Sequence, residues 1–213
     1  MHNRMFKIKK IKTVIQRWMN AVYPMPAHFG PNKLNQREKY KPDYRILASV
    51  LFNNLSFESV LDVGCAQGFL LDPLMEYGVN IKGVELSKDA LQFTPDKVRP
   101  YIEIGDFSEA GGSYDLVCCV EVAEHIKPAR SEEIVNKLGS LSKHYIYFTA
   151  APPGQDGLGH INCRPHEEWI ELFNQSNYVL NESITKEIRS DLEQLEYAEW
   201  LQNNSLLFET LNI

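Results

Sequence analysis

One short stretch, residues 60–71, constrains the fold of this chain more than any other. An apolar run rich in Val and Leu leads into a turn that contains Gly64 and Gly68, and apolar residues resume at helical spacing from Phe69 to Tyr77. This pattern predicts a strand, a tight turn and a helix. Glycines let the backbone approach a ligand closely, and the N-terminus of the following helix offers unpaired N–H groups to polar or anionic atoms. The stretch therefore predicts a ligand-binding turn.

Acidic residues end the first two predicted strands. Asp62 ends the first, where it can steady the turn or accept a hydrogen bond from a ligand ammonium group. Glu85 ends a second apolar run, Val79 to Val84, and an acid at that point can accept hydrogen bonds from both hydroxyls of a ribose. The pair predicts a ligand with a nucleoside part.

The glycine spacing discriminates between nucleoside cofactors. A dinucleotide fingerprint reads G-x-G-x-x-G, whereas this chain has Gly64, Ala66 and Gly68, followed by Phe69 and Leu70. The spacing argues against a nicotinamide cofactor and leaves a dehydrogenase as the weaker enzyme alternative.

The sequence D-x-G-x-[GA]-x-G resembles motif I of the class I S-adenosylmethionine-dependent methyltransferases, with Ala66 in place of the more common glycine. The resemblance implies an α/β fold: a Rossmann-like, doubly wound, mostly parallel seven-stranded sheet with the last strand antiparallel. It also implies that Asp106 meets the adenine amino group and that Phe107 packs on the ring. The cofactor-binding residues expected from it are Asp62, Gly64, Cys65, Ala66, Gly68, Glu85, Leu86, Asp106, Phe107 and Glu121.

A second motif follows the fourth predicted strand, Tyr114 to Val120. Ligands of open α/β sheets bind outside the carboxyl ends of the strands, so the residues that follow, Glu121, Glu124 and His125, should reach the site. The phrase E-V-x-E-H resembles the corresponding motif of ubiquinone-pathway-type O-methyltransferases and of small-RNA 3′-end 2′-O-methyltransferases.

These residues suggest two chemistries. We expect His125 and His160 to be the catalytic residues, because a hydroxyl acceptor needs a base or a metal to lose its proton. Mg²⁺ or Mn²⁺ is a further expectation, with a ligand set of Glu121, Glu124, His125 and His160. In the metal-free alternative, Glu121 orders the methionine end of the cofactor, Glu124 is a charge at a helix start, and His125 alone is the base.

The remaining elements are predicted from apolar spacing and turn residues. Further helices are predicted over 44–52, 87–93, 131–141 and 165–173, and further strands over 98–104, 143–149, 178–184 and 205–211. Residues 23–41 are expected to be an irregular lid. Four cysteines without metal-ligand spacing predict reduced thiols and a cytoplasmic protein.

Charge divides the chain unevenly. The net charge is −6, yet residues 1–45 hold 11 Lys and Arg against 2 Asp and Glu. Residues 5–22 have the spacing of a basic amphipathic helix, which is expected to pack on the domain or a second subunit, or to bind a membrane surface or nucleic acid. An organelle-targeting segment is a further alternative. We expect an N-terminal helix and lid over 1–54 and a cofactor-binding domain over 55–213, with no transmembrane segment.

The primary functional hypothesis is O-methylation of a hydroxyl on a small molecule or a saccharide. The alternatives are 2′-O-methylation of an RNA 3′ end, for which the basic N-terminal segment would supply phosphate contacts, and a cofactor-binding partner subunit without turnover. The oligomeric state is left open.

Overall fold

The computed structural model describes residues 31–210, with side chains from residue 34. The predicted amphipathic helix at 5–22 and the first part of the predicted lid lie outside these residues. The rest of that lid is helical instead of irregular: Pro31 begins a helix, in agreement with the preference of proline for the first helical turn, and Arg37–Tyr40 form a turn of 3₁₀ helix.

The centre of the fold is a seven-stranded sheet. Its strands are β1 (Ser59–Val63), β2 (Asn80–Glu85), β3 (Ile102–Ile104), β4 (Tyr114–Val120), β5 (Ser142–Thr149), β6 (Tyr178–Leu180) and β7 (Leu206–Thr210). The spatial order is β3-β2-β1-β4-β5-β7-β6, and only β7 runs antiparallel to both of its neighbours. This arrangement confirms the predicted doubly wound fold with its antiparallel last strand.

Helices cover both faces of the sheet. They are α1 (Pro31–Gln36), α2 (Lys41–Asn54), α3 (Leu71–Glu76), α4 (Ser131–Leu141), α5 (His166–Gln175), α6 (Glu182–Asp191) and α7 (Trp200–Asn204). Successive strand residues point to opposite faces, so Val60 and Leu116 pack with α2, α3, α6 and α7, whereas Leu61 and Val117 pack with α4 and α5. The two resulting cores fix the carboxyl edge of the sheet, where the candidate site lies.

Helix α2 is part of the first core. Tyr44, Leu47 and Leu51 are buried in it, and the Asp43 carboxylate accepts hydrogen bonds from the backbone N–H groups of residues 196–198. The expected domain boundary at residue 54 stays a prediction, and the helix on its N-terminal side shares the core of β1.

Three predicted elements differ from the structure. The strand predicted over 178–184 ends at Leu180, because Asn181 accepts a hydrogen bond from the N–H of Ile184 and caps α6. The strand predicted over 98–104 begins only at Ile102, because Pro100 lies in a turn of 3₁₀ helix. The helix predicted after Ser87 is a 3₁₀ helix over Lys88–Gln92.

The four cysteines are free thiols, and three of them are buried. In the part of the chain that the structure describes, no helix is long and apolar enough to cross a membrane.

Candidate functional site

The carboxyl ends of the central parallel strands form one edge. In the sheet, β1 lies between β2 and β4, and Asp62 is level with Gly83 on one side and Cys118 on the other. The strand order reverses between β1 and β4, which is the switch point at which open α/β sheets bind ligands. The predicted residues that follow β1, β2 and β4 therefore meet at one crevice.

The turn after β1 depends on unusual backbone geometry. Gly64 and Gly68 have φ values of 76° and 73°, and Ala66 has φ of 45°. A Cβ on Gly64 would lie 2.4 Å from a methyl carbon of Val122, so no side chain fits there. Ala66 adopts the left-handed region at some cost, since non-glycine residues are uncommon in it.

Glu85 joins this turn to the end of β2. Its carboxylate accepts hydrogen bonds from the N–H of Ala66 at 2.8 Å and from the N–H of Ser87 at 2.7 Å. Burial raises its pKa, and the two N–H groups oppose that rise. The N–H of Leu86 also contributes to lowering the pKa, and because a carboxylate can accept about four hydrogen bonds in total, Glu85 keeps acceptor capacity for a ligand hydroxyl.

Asp62 is buried beside Glu85. Burial is the largest cause that raises its pKa, the charge of Glu85 adds to the effect, and Arg37 opposes it, so that the pKa of Asp62 reaches about 7. A cationic ligand group would reverse this shift.

The expected adenine-side residues lie after β2 and β3. Leu86 is half exposed and Phe107 is buried. Asp106 accepts hydrogen bonds from Ser108 and from the guanidinium of Arg130. The Arg130 guanidinium holds the pKa of Asp106 well below its usual range.

Glu121, directly after β4, has a strained backbone. Its φ is 55°, and its N–H donates to the backbone oxygen and the hydroxyl of Thr149. Its carboxylate accepts hydrogen bonds from the side-chain amides of Gln155, at 3.2 Å, and Asn204, at 3.0 Å. Both amides hold this carboxylate in place beside Glu124, whose pKa its charge raises.

Glu124, His125 and His160 form what we call the Glu-His-His cluster. One ligand atom from each residue lies within 4.8 Å of the others, and the two imidazole rings are 5.0 Å apart. Glu124 is fully buried, and neither of its carboxylate oxygens has a hydrogen-bond partner of ordinary geometry among the described residues. Burial, followed by the charge of Glu121, holds the pKa of Glu124 well above its usual range, while the backbone N–H groups of Glu124 and Ala151 oppose the rise. Glu121, a predicted fourth ligand, does not belong to the cluster.

Backbone hydrogen bonds bring His160 to this cluster from the loop after β5. The N–H groups of Ile161 and Asn162 both donate to the backbone oxygen of Glu124, at 2.9 and 3.0 Å. Nδ1 of His160 lies 3.1 Å from the backbone oxygen of Gln155. A carbonyl oxygen only accepts, so this contact places the proton of the neutral ring on Nδ1 and leaves Nε2, 3.9 Å from Glu124, unprotonated.

Comparison with known proteins decides the family. A family model described as a methyltransferase domain matches residues 34–208. The chain belongs to this family. It is an S-adenosylmethionine-dependent methyltransferase, which confirms the predicted enzyme class over the dehydrogenase alternative.

Relatives of this methyltransferase agree with that assignment. The chain is 24% identical over 212 residues to the ubiquinone biosynthesis O-methyltransferase of Erwinia tasmaniensis, covering 94% of this chain and 79% of that protein. It is 24% identical over 148 residues to the magnesium-protoporphyrin O-methyltransferase of Synechocystis, covering 66% and 64% of the two chains. The crystal structure of magnesium protoporphyrin IX methyltransferase from Synechocystis with bound SAH has the same fold, with a TM-score of 0.60, 16% identity and coverage of 92% of this chain and 93% of that one.

Two residues with buried polar atoms near the turn after β1 are not predicted from the sequence. Nε of Arg37 and Oε1 of Gln67 are buried without a hydrogen-bond partner among the described residues, and Gln67 Nε2 donates to the backbone oxygen of Leu34. Gln67 lies inside the motif, at a position that the motif leaves unspecified. Arg37 lies in a segment that was predicted to be irregular, where spacing gives no signal.

Proposed function

We propose that this methyltransferase transfers a methyl group to a hydroxyl oxygen of a small molecule or saccharide. The observation that supports the proposal most strongly is the Glu-His-His cluster, which follows β4 beside the cofactor turn and combines a neutral imidazole with a buried carboxylate. The two relatives described above are both O-methyltransferases, which favours oxygen as the acceptor atom.

In this proposal the cofactor lies across the turn after β1. Glu85 accepts hydrogen bonds from the ribose hydroxyls, and Asp62 faces the ammonium group of the methionine part of the cofactor. Arg37 contributes the charge for the carboxylate, since its buried Nε has no hydrogen-bond partner among the described residues and its charge already lowers the pKa values of Asp62 and Glu85. The remaining residues of the turn, Gly64, Cys65, Ala66 and Gly68, supply close backbone contact, and Leu86, Phe107 and Asp106 surround the adenine.

The methyl group of a sulfonium is already activated, so the protein mainly has to align the acceptor and remove its proton. His160 suits the role of base, because burial lowers its pKa and the backbone oxygen of Gln155 orients it with Nε2 unprotonated. His125, whose ring lies against that of His160, is the second candidate base.

The cluster also fits a divalent cation, in keeping with the expected Mg²⁺ or Mn²⁺. A fully buried carboxylate without hydrogen-bond partners is costly unless it is protonated or bound to a cation. Glu124, His125 and His160 would hold the ion. A bound cation lowers the pKa of a hydroxyl that it contacts. Each oxygen of Glu121 accepts one amide hydrogen bond, from Gln155 or Asn204, so each keeps an acceptor position with which Glu121 would join as a fourth ligand.

The acceptor can be identified by measuring S-adenosylhomocysteine formation with the full chain. The panel contains phenolic and aliphatic hydroxyl compounds, saccharides, amines, thiols and an RNA oligonucleotide, each in EDTA and with Mn²⁺. We expect turnover with a hydroxyl compound or saccharide, and loss of that turnover in His160→Ala with cofactor binding retained. Turnover with amines or thiols alone would refute an oxygen acceptor.

RNA is the alternative acceptor, and the same cluster of acid and imidazoles supports it. Turnover with the oligonucleotide alone, abolished by periodate oxidation of its 3′ end, would favour 2′-O-methylation over the proposed reaction. In either case we propose a cytoplasmic enzyme.

A further inference from the structure

Arg130 is the centre of a charged cluster beside the proposed adenine position. It ends a turn of 3₁₀ helix that leads into α4. Its Nη1 and Nη2 donate to Oδ2 and Oδ1 of Asp106 at 3.1 and 2.8 Å, and its Nε and Nη2 donate to the two carboxylate oxygens of Glu133, both at 2.7 Å. Two carboxylates, each contacted twice, fix the plane of a guanidinium group.

The same guanidinium covers one face of Phe107. Its central carbon lies 4.3 Å from the centre of the Phe107 ring, within cation–π distance. Phe107 is 8% exposed and packs into the core between β4 and α4. Arg130 therefore fixes both neighbouring residues, Asp106 and Phe107, that follow β3.

The hydrogen bonds of Asp106 leave one oxygen with room for a ligand. Oδ1 accepts from the N–H and the hydroxyl of Ser108 and from Arg130, which fills its acceptor capacity. Oδ2 accepts only from Arg130 among the described residues. The Asp106 side chain is 32% exposed, so a donor from outside can reach this carboxylate.

We infer that Arg130 is a positioning residue, which directs Oδ2 of Asp106 toward the 6-amino group of the cofactor adenine and thereby sets the preference for adenine over other bases. The inference rests on the cofactor placement proposed above. An ionised carboxylate accepts from an amino group and repels a carbonyl oxygen, so a fixed Asp106 should reject a base with a 6-oxo group.

The test compares two ligands by calorimetry with the full chain. The ligands are S-adenosylhomocysteine and S-inosylhomocysteine, in which an oxygen replaces the 6-amino group. We expect the wild type to prefer the adenine compound by about tenfold or more, as one charge-assisted hydrogen bond implies. In Arg130→Met the preference should fall to about threefold or less, because no guanidinium then holds Oδ2 of Asp106 in place. If Arg130 contributed only to folding, the substitution would weaken the binding of both ligands equally.

Arg45→Met is the matched control, since Arg45 also pairs with a carboxylate, Glu76, but lies on α2; its preference should equal that of the wild type. In Asp106→Ala, adding Arg130→Met should change the preference no further, as two residues acting as one unit require. If Arg130→Met does not fold, Arg130→Lys carries the test, because a lysine cannot contact both oxygens in the fork geometry, and a reduced preference is again expected.

Two results would overturn the inference: an unchanged preference in the folded variant, or tighter binding of S-adenosylhomocysteine by Arg130→Met, which would mean that the guanidinium competes with adenine. A wild type that binds neither ligand would instead overturn the cofactor placement itself.

Discussion

The two halves of the site differ in how their acids are satisfied. On the proposed cofactor side, the Glu85 carboxylate accepts hydrogen bonds from two backbone N–H groups, and Asp106 accepts hydrogen bonds from Ser108 and Arg130. In the Glu-His-His cluster, the Glu124 carboxylate is fully buried and lacks such partners among the described residues. Buried charge without partners is expensive. On the proposed cofactor side, Glu85 and Asp106 are therefore held in place before ligand binding, whereas Glu124 is stabilised only by a proton or a bound cation.

Glu121 lies between the two halves. Its positive φ places the carboxylate against Gln155 and Asn204, which also bond to each other at 3.1 Å. This amide pair joins the loop after β5 to α7, and it keeps the charge of Glu121 partly compensated next to Glu124. The comparison can be tested by removing features of each half separately.

The largest effect is expected from Glu85→Ala. The substitution removes the proposed ribose contacts and leaves the N–H of Ala66 without its acceptor, so we expect the Kd for S-adenosylhomocysteine to rise at least about 100-fold, given about 1.5–3 kcal/mol per charged hydrogen bond. Titration calorimetry measures this Kd. Glu103→Ala, which removes an exposed acid of β3 paired with Lys82, is the control and should bind normally. Equal binding by both variants would contradict the role of Glu85.

Gly157→Ala should change the Glu-His-His cluster and leave the proposed cofactor side intact. A Cβ at Gly157 would overlap the ring of His160 at Nε2, so the imidazole must leave its present position beside Glu124. We expect turnover with the identified acceptor to fall by about tenfold or more, as for loss of a positioned base, with an unchanged Kd for S-adenosylhomocysteine. Gly111→Ala is matched to it, because an added Cβ there meets nothing within 4 Å. Normal turnover in Gly157→Ala would remove His160 from the mechanism.

The sequence predicted the cofactor half better than the cluster, for a physical reason. Asp62 and Glu85 each end a strand, so the spacing of apolar runs and glycines is enough to place them at one edge. His160 reaches Glu124 only through the N–H groups of Ile161 and Asn162, which are hydrogen bonds between distant segments that no local pattern encodes. Asn204 was missed for the same reason, since its contacts with Glu121 span the sheet.

Local chemistry also explains where the secondary structure predicted from the sequence is wrong. Residues 178–184 have a strand-like apolar pattern, yet the cap formed by Asn181 favours a helix, and the alternation ends with it. The sequence predicts the long central strands, β4 and β5, well, because their carboxyl-terminal halves are buried on both faces and are rich in apolar and aromatic residues.

The pH dependence of binding tests the cofactor half more finely. Asp62 in the free protein has a pKa of about 7, and a ligand ammonium would favour its ionised form. Binding then releases a proton, so affinity should fall as the pH decreases below about 7, approaching tenfold per pH unit, and should be nearly constant above pH 8. Titration calorimetry of S-adenosylhomocysteine from pH 5.5 to 8.5 measures this. Asp62→Asn should bind more weakly and without that slope; the same slope in the variant would assign the proton to another group.

The smallest effect is expected from Glu124→Gln, and it should be a gain in stability, whereas the other variants should lose affinity or turnover. Because burial holds the pKa of Glu124 well above its usual range, this carboxyl must take up a proton when the chain folds without a cation, whereas the amide of glutamine needs none. The variant should therefore be more stable than the wild type at neutral pH by about 1 kcal/mol, or roughly 2–4 °C in melting temperature for a chain of this size. Mn²⁺ should raise the melting temperature of the wild type and leave the variant unchanged, because a cation stabilises only the state that binds it. Glu171→Gln, at an exposed position of α5, should respond to Mn²⁺ like the wild type. A variant less stable than the wild type would mean that the Glu124 carboxylate is already satisfied in the folded protein, and the contrast between the two halves of the site would be lost.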